Sequence, residues 1–416
     1  MTTVSSRTGL KLGLLGSLYF SQGLPFGFFT QALPVMLRKN GFSLGEIGIS
    51  SLLAVPWALK FLWAPAVDRY SFQRVGRRKS WIVPLQLSAI VVLVVLAVFI
   101  SAQSMSTLMV AVFVLNLIAA TQDIATDGLA VDMLEPRERG FANGLQVAGY
   151  RVGMIVGGGA LLILHDQLGS LVTFLSMAIM TGLATVPIIL AREPRAADVA
   201  HLCRPERATA HFFRRPGSVR ILVLVVAYKA GDAFATSMLR PYLADAGLTL
   251  ADIGWLLGTV GFVSGLVGAI VGGGLVNRLG RKRSLLLFGA AQAVSVAGYA
   301  LLAAHTPSTQ ALYVSCAAEH LAGGMATAAL FTCMMDWCSS ASSATDYTVQ
   351  ASAVVIATGV ASAIAGFSAQ AFGYFGHFVI ATGLAAAAVA VVRKLFPSPK
   401  SANAAEATER EVVRCV

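Results

Sequence analysis

The chain alternates between long apolar runs and short polar segments from one end to the other. A helix that crosses the hydrocarbon core of a bilayer needs about 20 mostly apolar residues, and these runs have that length. The pattern predicts an all-α membrane protein with twelve spanning helices, at residues 10–36, 44–66, 80–101, 106–132, 140–164, 170–191, 219–243, 251–276, 284–304, 309–336, 345–373 and 376–396.

Composition supports this prediction and accounts for the net charge. Hydrophobic residues make up 56% of the chain and charged residues 12%, whereas a soluble domain averages about 25% charged residues. The formal net charge is +11, but the basic residues cluster in alternate loops, with seven arginines in the segment 192–220. The positive-inside rule then places both termini in the cytoplasm. We therefore expect no nucleic-acid partner.

Two parts of the chain carry the same short motifs in the same order. GFSLGEIG (41–48) matches GLTLADIG (247–254), and GRRKS (76–80) matches GRKRS (280–284), at offsets of 206 and 204 residues. Gln146 and Gln350 also stand 204 residues apart. The repeat predicts an N-terminal six-helix half, a basic cytoplasmic linker, a C-terminal six-helix half and a cytoplasmic tail, at residues 1–191, 192–218, 219–396 and 397–416.

The repeated loops resemble a motif of the major facilitator superfamily. GGLVNRLGRKRS (273–284) follows its pattern G-x-L-x-D-R-x-G-R-K, with Asn277 where the family usually has Asp, and APAVDRYSFQRVGRRKS (64–80) keeps Asp68 and Arg69. The resemblance implies the twelve-helix major facilitator fold, which is built from parallel repeats. An Asp at a helix end that pairs with arginine can latch one conformation. We predict a conformational latch formed by Asp68, Arg69, Arg77, Asn277, Arg278 and Arg281.

Four stretches resemble a narrower group, the muropeptide permeases and acetyl-CoA transporters. They are YFSQGLPFGFFTQALPVML (19–37), PWALKFLWAPAVDRY (56–70), ATQDIATDGLAVDML (120–134) and ERGFANGLQVAGYRVGMIVGG (138–158). Within that group, the compact length and the stretches SLYFSQGLPFGFF and SSLLAVPWALKFLWAP look most like bacterial siderophore permeases of the pyochelin and rhizobactin type.

This resemblance implies a secondary transporter in the bacterial inner membrane. It would import a siderophore, with or without bound iron, by alternating access coupled to protons. The alternative is a permease for muropeptides or other amphipathic metabolites of the same group. We expect a monomer whose partners are the substrate, protons and the bilayer.

Ionisable residues also occur inside the predicted spans. A charge at that depth is costly and generally faces a bundle interior or a wet cavity. In the major facilitator layout, helices one, four, seven and ten line the cavity, and two, five, eight and eleven flank it. The residues in question all fall on these helices: Lys60, Asp123, Asp127, Arg151, Lys229, Asp232, Glu319 and His320.

Asp123 and Asp127 lie four residues apart, on one face of predicted helix four. We expect them to form a buried cluster with Lys60 and Arg151. Two interpretations remain open and are compatible: compensating ion pairs that hold the first half together, or a carboxylate that exchanges a proton during transport.

The second half offers Lys229 and Asp232, which are three residues apart and can partly neutralise each other. Glu319 has no opposite charge nearby in the sequence, which makes it the better candidate for proton coupling. His320 is one residue on, a step of about 100° around the helix, so the two need not share a face, and we expect His320 to have a structural role.

Predicted helix one contains GLPFGFFTQALP (23–34), in which glycine, proline, amide and aromatic residues favour a flexible substrate-binding segment. Any single Phe there could equally pack against lipid. Cations in the cavity would favour an anionic substrate unless the nearby aspartates neutralise them. The predicted substrate and proton pathway comprises Gln22, Gln31, Lys60, Asp123, Asp127, Gln146, Arg151, Lys229, Asp232, Glu319 and Gln350.

No pattern favours an enzyme, a metal site or a cofactor. The five cysteines contain no C-x-x-C pair, the six histidines are scattered, and the chain has no G-x-x-x-x-G-K-[ST] motif for ATP. We therefore expect no enzymatic activity, no bound metal and no cofactor.

Overall fold

The computed structural model describes residues 2–39, 41–42, 50–72, 75–99, 105–191, 193, 208–305, 308–339 and 342–397. Every regular element in these ranges is helical, which confirms the all-α prediction. The predicted linker falls largely outside the described residues, at 194–207, and so does the tail at 398–416.

The first helices include several irregular turns. α1 (Thr2–Gly27) continues through a π-helical turn (Phe28–Ala32) into α2 (Leu33–Lys39). The predicted helix 44–66 is instead a series of short segments: a 3₁₀ turn (Ser51–Ala54), α3 (Val55–Leu59), a second 3₁₀ turn (Lys60–Leu62) and α4 (Ala64–Arg69). Pro56 and Pro65 each lack the backbone N–H that a continuous helix needs.

The remaining helices are longer. They are α5 (Lys79–Phe99), α6 (Met105–Met133), α7 (Arg139–Ile155), a π turn (Val156–Ala160), α8 (Leu161–Leu190), α9 (Ala208–Arg214), α10 (Ser218–Ser237), α11 (Leu239–Asp245), α12 (Leu250–Trp255), a π turn (Leu256–Gly261), α13 (Phe262–Leu279), α14 (Arg281–Ala303), α15 (Thr309–Asp336) and α16 (Ser343–Leu395).

Seven helices within the described ranges are long and apolar enough to cross a membrane. Two of them, Arg139–Leu190 and Ser343–Leu395, have 52 and 53 residues, about twice the length of one crossing. Each turns at a glycine with positive φ, 78° at Gly169 and 66° at Gly373, a conformation that residues with a Cβ rarely adopt. Gly169 lies in the gap between two predicted spans, and Gly373 is the last residue before the next such gap. The total of twelve stays a prediction.

The chain forms two compact units. Unit 1 comprises Met1–Glu135, Leu145–Thr209 and Cys338–Ser352, and unit 2 comprises Pro136–Gly144, Ala210–Trp337 and Ala353–Val416. Unit 1 thus contains a short segment from late in the sequence, and unit 2 contains a short segment that interrupts unit 1. The division into halves at 1–191 and 219–396 stays a prediction.

Glycines bring helix backbones into contact within each unit. In unit 1, a Cβ on Gly23 would lie 2.2 Å from the carbonyl oxygen of Tyr150, and one on Gly153 would lie 2.3 Å from that of Phe20. In unit 2, a Cβ on Gly324 would lie 2.2 Å from the carbonyl oxygen of Gly265. Small residues of this kind are typical of helix interfaces in membranes.

Candidate functional sites

Unit 1 holds a buried charged cluster between α1, α6 and the 3₁₀ turn before α4. The Lys60 Nζ forms an ion pair with Asp123 Oδ2 and lies 5.7 Å from the centroid of the Trp57 ring. Asp127, one turn further along α6, accepts a hydrogen bond of 2.7 Å from the Tyr19 hydroxyl. Lys60 and Asp127 are each 2% exposed. An ion pair at this depth stabilises only if both charges remain paired.

The structure therefore joins Lys60, Asp123 and Asp127, as expected, and adds Tyr19. Tyr19 was not among the predicted pathway residues. Its position on predicted helix one was the available signal, because that helix was expected to face the same cavity as Asp127. Arg151 is half-buried on α7, and its membership of the cluster stays a prediction.

The predicted pathway amides occupy different environments. Gln22 is 1% exposed and lines an internal cavity of about 10 Å³ in unit 1, together with Ser21 and Gln122. A cavity of this size admits one water and no substrate. Gln31 is exposed, while Gln146 is buried. The Gln350 amide donates to the carbonyl oxygen of Asp346 at 3.1 Å.

Unit 2 holds a second charged cluster, between α10, α14 and α15. The Lys229 Nζ lies 2.7 Å from Asp232 Oδ2 and donates to the Thr327 hydroxyl at 3.2 Å. The other oxygen of Asp232 accepts a hydrogen bond of 2.7 Å from the Gln292 amide. Gln292 was missed because it lies on predicted helix nine, which the family layout places away from the cavity.

Glu319 is 2% exposed on α15. Its Oε2 lies 2.7 Å from Nδ1 of His320, so the two side chains meet although the sequence did not require them to share a face. A 100° step around a helix separates the Cα–Cβ bonds, but rotation about the side-chain bonds brings neighbouring long side chains together. A Cβ on Gly323 would lie 3.4 Å from both Glu319 Oε1 and Gln292 Nε2.

The predicted latch in unit 1 is built around Asp68. Its Oδ1 lies 2.8 Å from Arg78 and 3.0 Å from Arg77, and its Oδ2 accepts bonds from the backbone N–H and hydroxyl of Thr345, at 2.8 and 2.6 Å. Burial favours a neutral Asp68, but the two guanidinium groups and the Thr345 bonds together hold the pKa of this carboxyl below its usual value.

Two details of this latch differ from the prediction. Arg69 was expected to take part, but its guanidinium lies 5.2 Å from the centroid of the Tyr70 ring, and its side chain is exposed. Arg78 was not expected, yet it is fully buried and also contacts Asp132 at 3.0 Å and Ser343 at 2.8 Å. Burial alone would lower the pKa of Arg78, but its two carboxylate partners raise it.

The corresponding network in unit 2 uses a different carboxylate. Asn277 donates a hydrogen bond of 2.6 Å to the carbonyl oxygen of Arg137. Asp336, at the end of α15, lies 2.7 Å from Arg281 Nε and 2.8 Å from Arg139. Asp336 thus supplies the negative charge that Asn277 lacks. The other predicted member, Arg278, is exposed.

No group of three or more His, Cys, Asp or Glu residues within the described ranges is placed to hold a metal ion. The charged side chains of both clusters form ion pairs and hydrogen bonds.

Two family models match the chain. The model described as acetyl-coenzyme A transporter 1 matches residues 11–107 and 100–170, and that of the major facilitator superfamily matches residues 221–414. The anhydromuropeptide permease of Escherichia coli (strain K12) is 30% identical over 380 residues, which cover 90% of this chain and 77% of that protein. The putative transporter AmpG 4 of Rickettsia felis is 26% identical over 386 residues, covering 90% and 93%.

Two solved structures have similar folds. The human organic anion transporter MFSD10 superposes with a TM-score of 0.71, and the transporter FucP in the outward conformation with 0.72. Each is 13% identical and covers 93% of this chain and 99% of its own. At this level of identity, the similarity shows the fold and gives no information about the substrate.

Proposed function

Because the chain belongs to the major facilitator superfamily and, within it, to the group of anhydromuropeptide permeases and acetyl-CoA transporters, we propose that it imports peptidoglycan fragments of the anhydromuropeptide class. The chain is a multi-pass membrane transporter and not an enzyme. The proposed route leads inward across the bacterial inner membrane, and the proposed driving force is the proton gradient.

One observation carries the proposed substrate. The similarity to the E. coli anhydromuropeptide permease, 30% identity, extends over 90% of this chain and 77% of that protein. The substrate predicted from sequence, a siderophore, finds no support among these relatives, and the alternative prediction becomes the leading one. The compact length of this chain does not argue against this substrate class, since the match covers 93% of the Rickettsia relative.

The buried clusters suit such a substrate and a proton-driven cycle. An anhydromuropeptide carries sugar hydroxyls, amides and carboxylates, which amide, hydroxyl and ammonium groups can bind. Unit 2 offers an amide donor in Gln292 and an ammonium donor in Lys229. Carboxylates buried in both units supply groups whose protonation can change during the cycle.

The test is uptake of a radiolabelled anhydromuropeptide into bacterial cells that lack their own permease and express this chain. We expect uptake that depends on the chain and falls when a protonophore dissipates the gradient. A parallel arm offers a radio-iron-loaded siderophore. Siderophore uptake without anhydromuropeptide uptake would refute the proposed substrate and restore the first prediction.

A further inference from the structure

The carboxylates of the two clusters have partners of different kinds. Asp123 pairs with Lys60 and Asp232 pairs with Lys229, and a lysine ammonium holds its proton throughout the neutral range. Glu319 instead lies against His320, and histidine is the side chain that gains and loses a proton near neutral pH. With an ionised carboxylate and a neutral imidazole the pair carries one net negative charge, and it becomes neutral when it gains one proton.

The position of His320 is set by its neighbours. Its Nδ1 lies 2.7 Å from Glu319 Oε2 and 3.0 Å from the carbonyl oxygen of Cys316. The opposite side of the ring lies on Gly261, where a Cβ would lie 2.8 Å from both Cδ2 and Nε2. Gly261 ends the π turn Leu256–Gly261, and such turns are frequent at functional sites. The ring therefore needs both the turn and the absence of a side chain at residue 261.

The two side chains of the pair also differ in their exposure to solvent. The side chain of His320 is 21% exposed and that of Glu319 is 3% exposed, so a proton from outside reaches the imidazole first. On the other side of the carboxyl, Glu319 Oε1 and Gln292 Nε2 each lie 3.4 Å, and Asp232 Oδ1 lies 3.9 Å, from the position that a Cβ on Gly323 would occupy. Glu319 thus lies between the accessible imidazole ring of His320 and the Lys229–Asp232 ion pair.

We propose that Glu319 and His320 together form the proton-loading pair of this transporter, with the π turn at Gly261 holding the imidazole in place. A proton binds at Nε2, and the proton already on Nδ1 moves to Glu319 Oε2. The products are a neutral carboxylic acid and a neutral imidazole. The pair has gained one proton in all, and the carboxyl group of Glu319 holds it. The inference rests on the proposed function, because transport is followed with the same substrate.

Other titratable groups face the pair from each neighbouring helix. They are Cys316 on α15 itself, Tyr299 on α14, and Asp232 with Lys229 on α10. The π turn contributes none, since Leu256–Gly261 reads LLGTVG. Tyrosine and cysteine are ordinarily neutral at pH 7, and Asp232 and Lys229 balance each other, so the charge of the pair itself governs its response to pH.

The first test uses purified protein in proteoliposomes. With one proton per substrate, an inward gradient of one pH unit supports about tenfold accumulation of labelled anhydromuropeptide, since one unit corresponds to a factor of ten. We expect wild type to approach that ratio. Glu319→Gln and His320→Gln should only equilibrate, while still exchanging labelled for unlabelled substrate without a gradient. His305→Gln, at an exposed histidine of the same unit, should behave like wild type.

Substitutions at two glycines of the same region test whether the position of the imidazole ring matters as well as its ability to exchange a proton. Gly261→Ala should displace the ring and abolish accumulation while exchange persists. Gly258→Ala adds a methyl with no atom within 4 Å and should accumulate like wild type. Accumulation that survives in Glu319→Gln, or in both His320→Gln and Gly261→Ala, would overturn the proposed pair.

A second test needs no substrate, so it separates this inference from the proposed function. Infrared titration of the purified protein should show a carboxylic acid band that appears with falling pH and is missing in Glu319→Gln. In His320→Gln the midpoint of the same band should move, because the imidazole no longer faces the acid. If no band is assigned to Glu319, or if its midpoint is the same without the histidine, the pair is not a loading site. If wild type shows the band but transports no anhydromuropeptide, the proposed substrate fails and the pair stands.

Discussion

Replacing one member of the Lys60–Asp123 ion pair should destabilise the protein, but by amounts that differ between the two partners. Lys60→Met removes the cation from a cluster in which Asp123 and Asp127 stand one turn apart, at 8% and 2% exposure. Breaking a buried pair so that a charge is left without its partner typically costs about 3–5 kcal/mol. Two neighbouring carboxylates remain here, so we expect Lys60→Met at the upper end of that range.

Asp123→Asn should cost less. Asp127 lies on the same face of α6 and is held by a hydroxyl, that of Tyr19, so its charge is available to the Lys60 ammonium after a small movement. We expect a loss of about 1–3 kcal/mol, the cost of one unsatisfied or strained buried polar group. The double variant Lys60→Met/Asp123→Asn should be more stable than the sum of the single losses implies, since neither charge remains alone.

The assay is equilibrium unfolding in mixed micelles, followed by tryptophan fluorescence for wild type, both single variants and the double variant. The interaction energy of the cycle should exceed about 1 kcal/mol, a value that exposed ion pairs seldom reach. Equal and small losses for both single variants, with no interaction energy, would mean that water screens the pair and that the burial argument is wrong.

Three further predictions concern packing and the latch in unit 1, and each can be checked by melting temperature in detergent. Gly23→Ala should cost about 1–3 kcal/mol or more, because the methyl meets a backbone carbonyl at 2.2 Å, whereas Gly13→Ala, with no atom within 4 Å, should be neutral or slightly stabilising; equal shifts would contradict the contact. Arg78→Ala should cost about 3–5 kcal/mol because it leaves buried carboxylates unpaired, while Arg69→Ala at an exposed side chain should stay within about 0.5 kcal/mol; the reverse order would restore the latch predicted from sequence. Asp68 has a lowered pKa in the folded state, so the stability it contributes is fully present above its unfolded pKa of about 3.9 and is lost as the pH falls through the folded value. The difference in melting temperature between wild type and Asp68→Asn should therefore shrink only below about pH 4. A difference that disappears near neutral pH would refute the ion pairs.

Sequence reasoning located the elements of this fold because hydropathy and charge act over whole helices. The gaps at residues 165–169 and 374–375 lie at or beside the glycines where the two longest helices turn. The segment 44–66 was read as one helix since its average hydropathy is high, although Pro56 and Pro65 interrupt its hydrogen bonding. Average hydropathy does not register the loss of single backbone donors.

The candidate sites were predictable only where their members share one helix. Asp123 and Asp127 lie on one face because their spacing is one helical turn. Contacts between helices depend on rotation and depth, which no spacing encodes, so Tyr19, Arg78 and Gln292 were missed. Substrate identity was harder still, because a fold shared by many transporters leaves specificity to a few side chains. The resemblance to siderophore permeases rested on chain length and on two short stretches of the first 65 residues.

The backbone contact between Gly23 and Gly153 has a consequence for how the protein is made. The two glycines are 130 residues apart, and ribosomes add about 5–20 residues per second, so roughly 6–26 s separate their synthesis. During that interval the glycine face of α1 has no partner, and a helix face without side chains leaves its backbone carbonyls toward lipid. We therefore expect α1 to remain beside the membrane insertion machinery until α7 emerges, and Gly23→Ala to leave newly made chains open to proteolysis before any defect in transport can be measured.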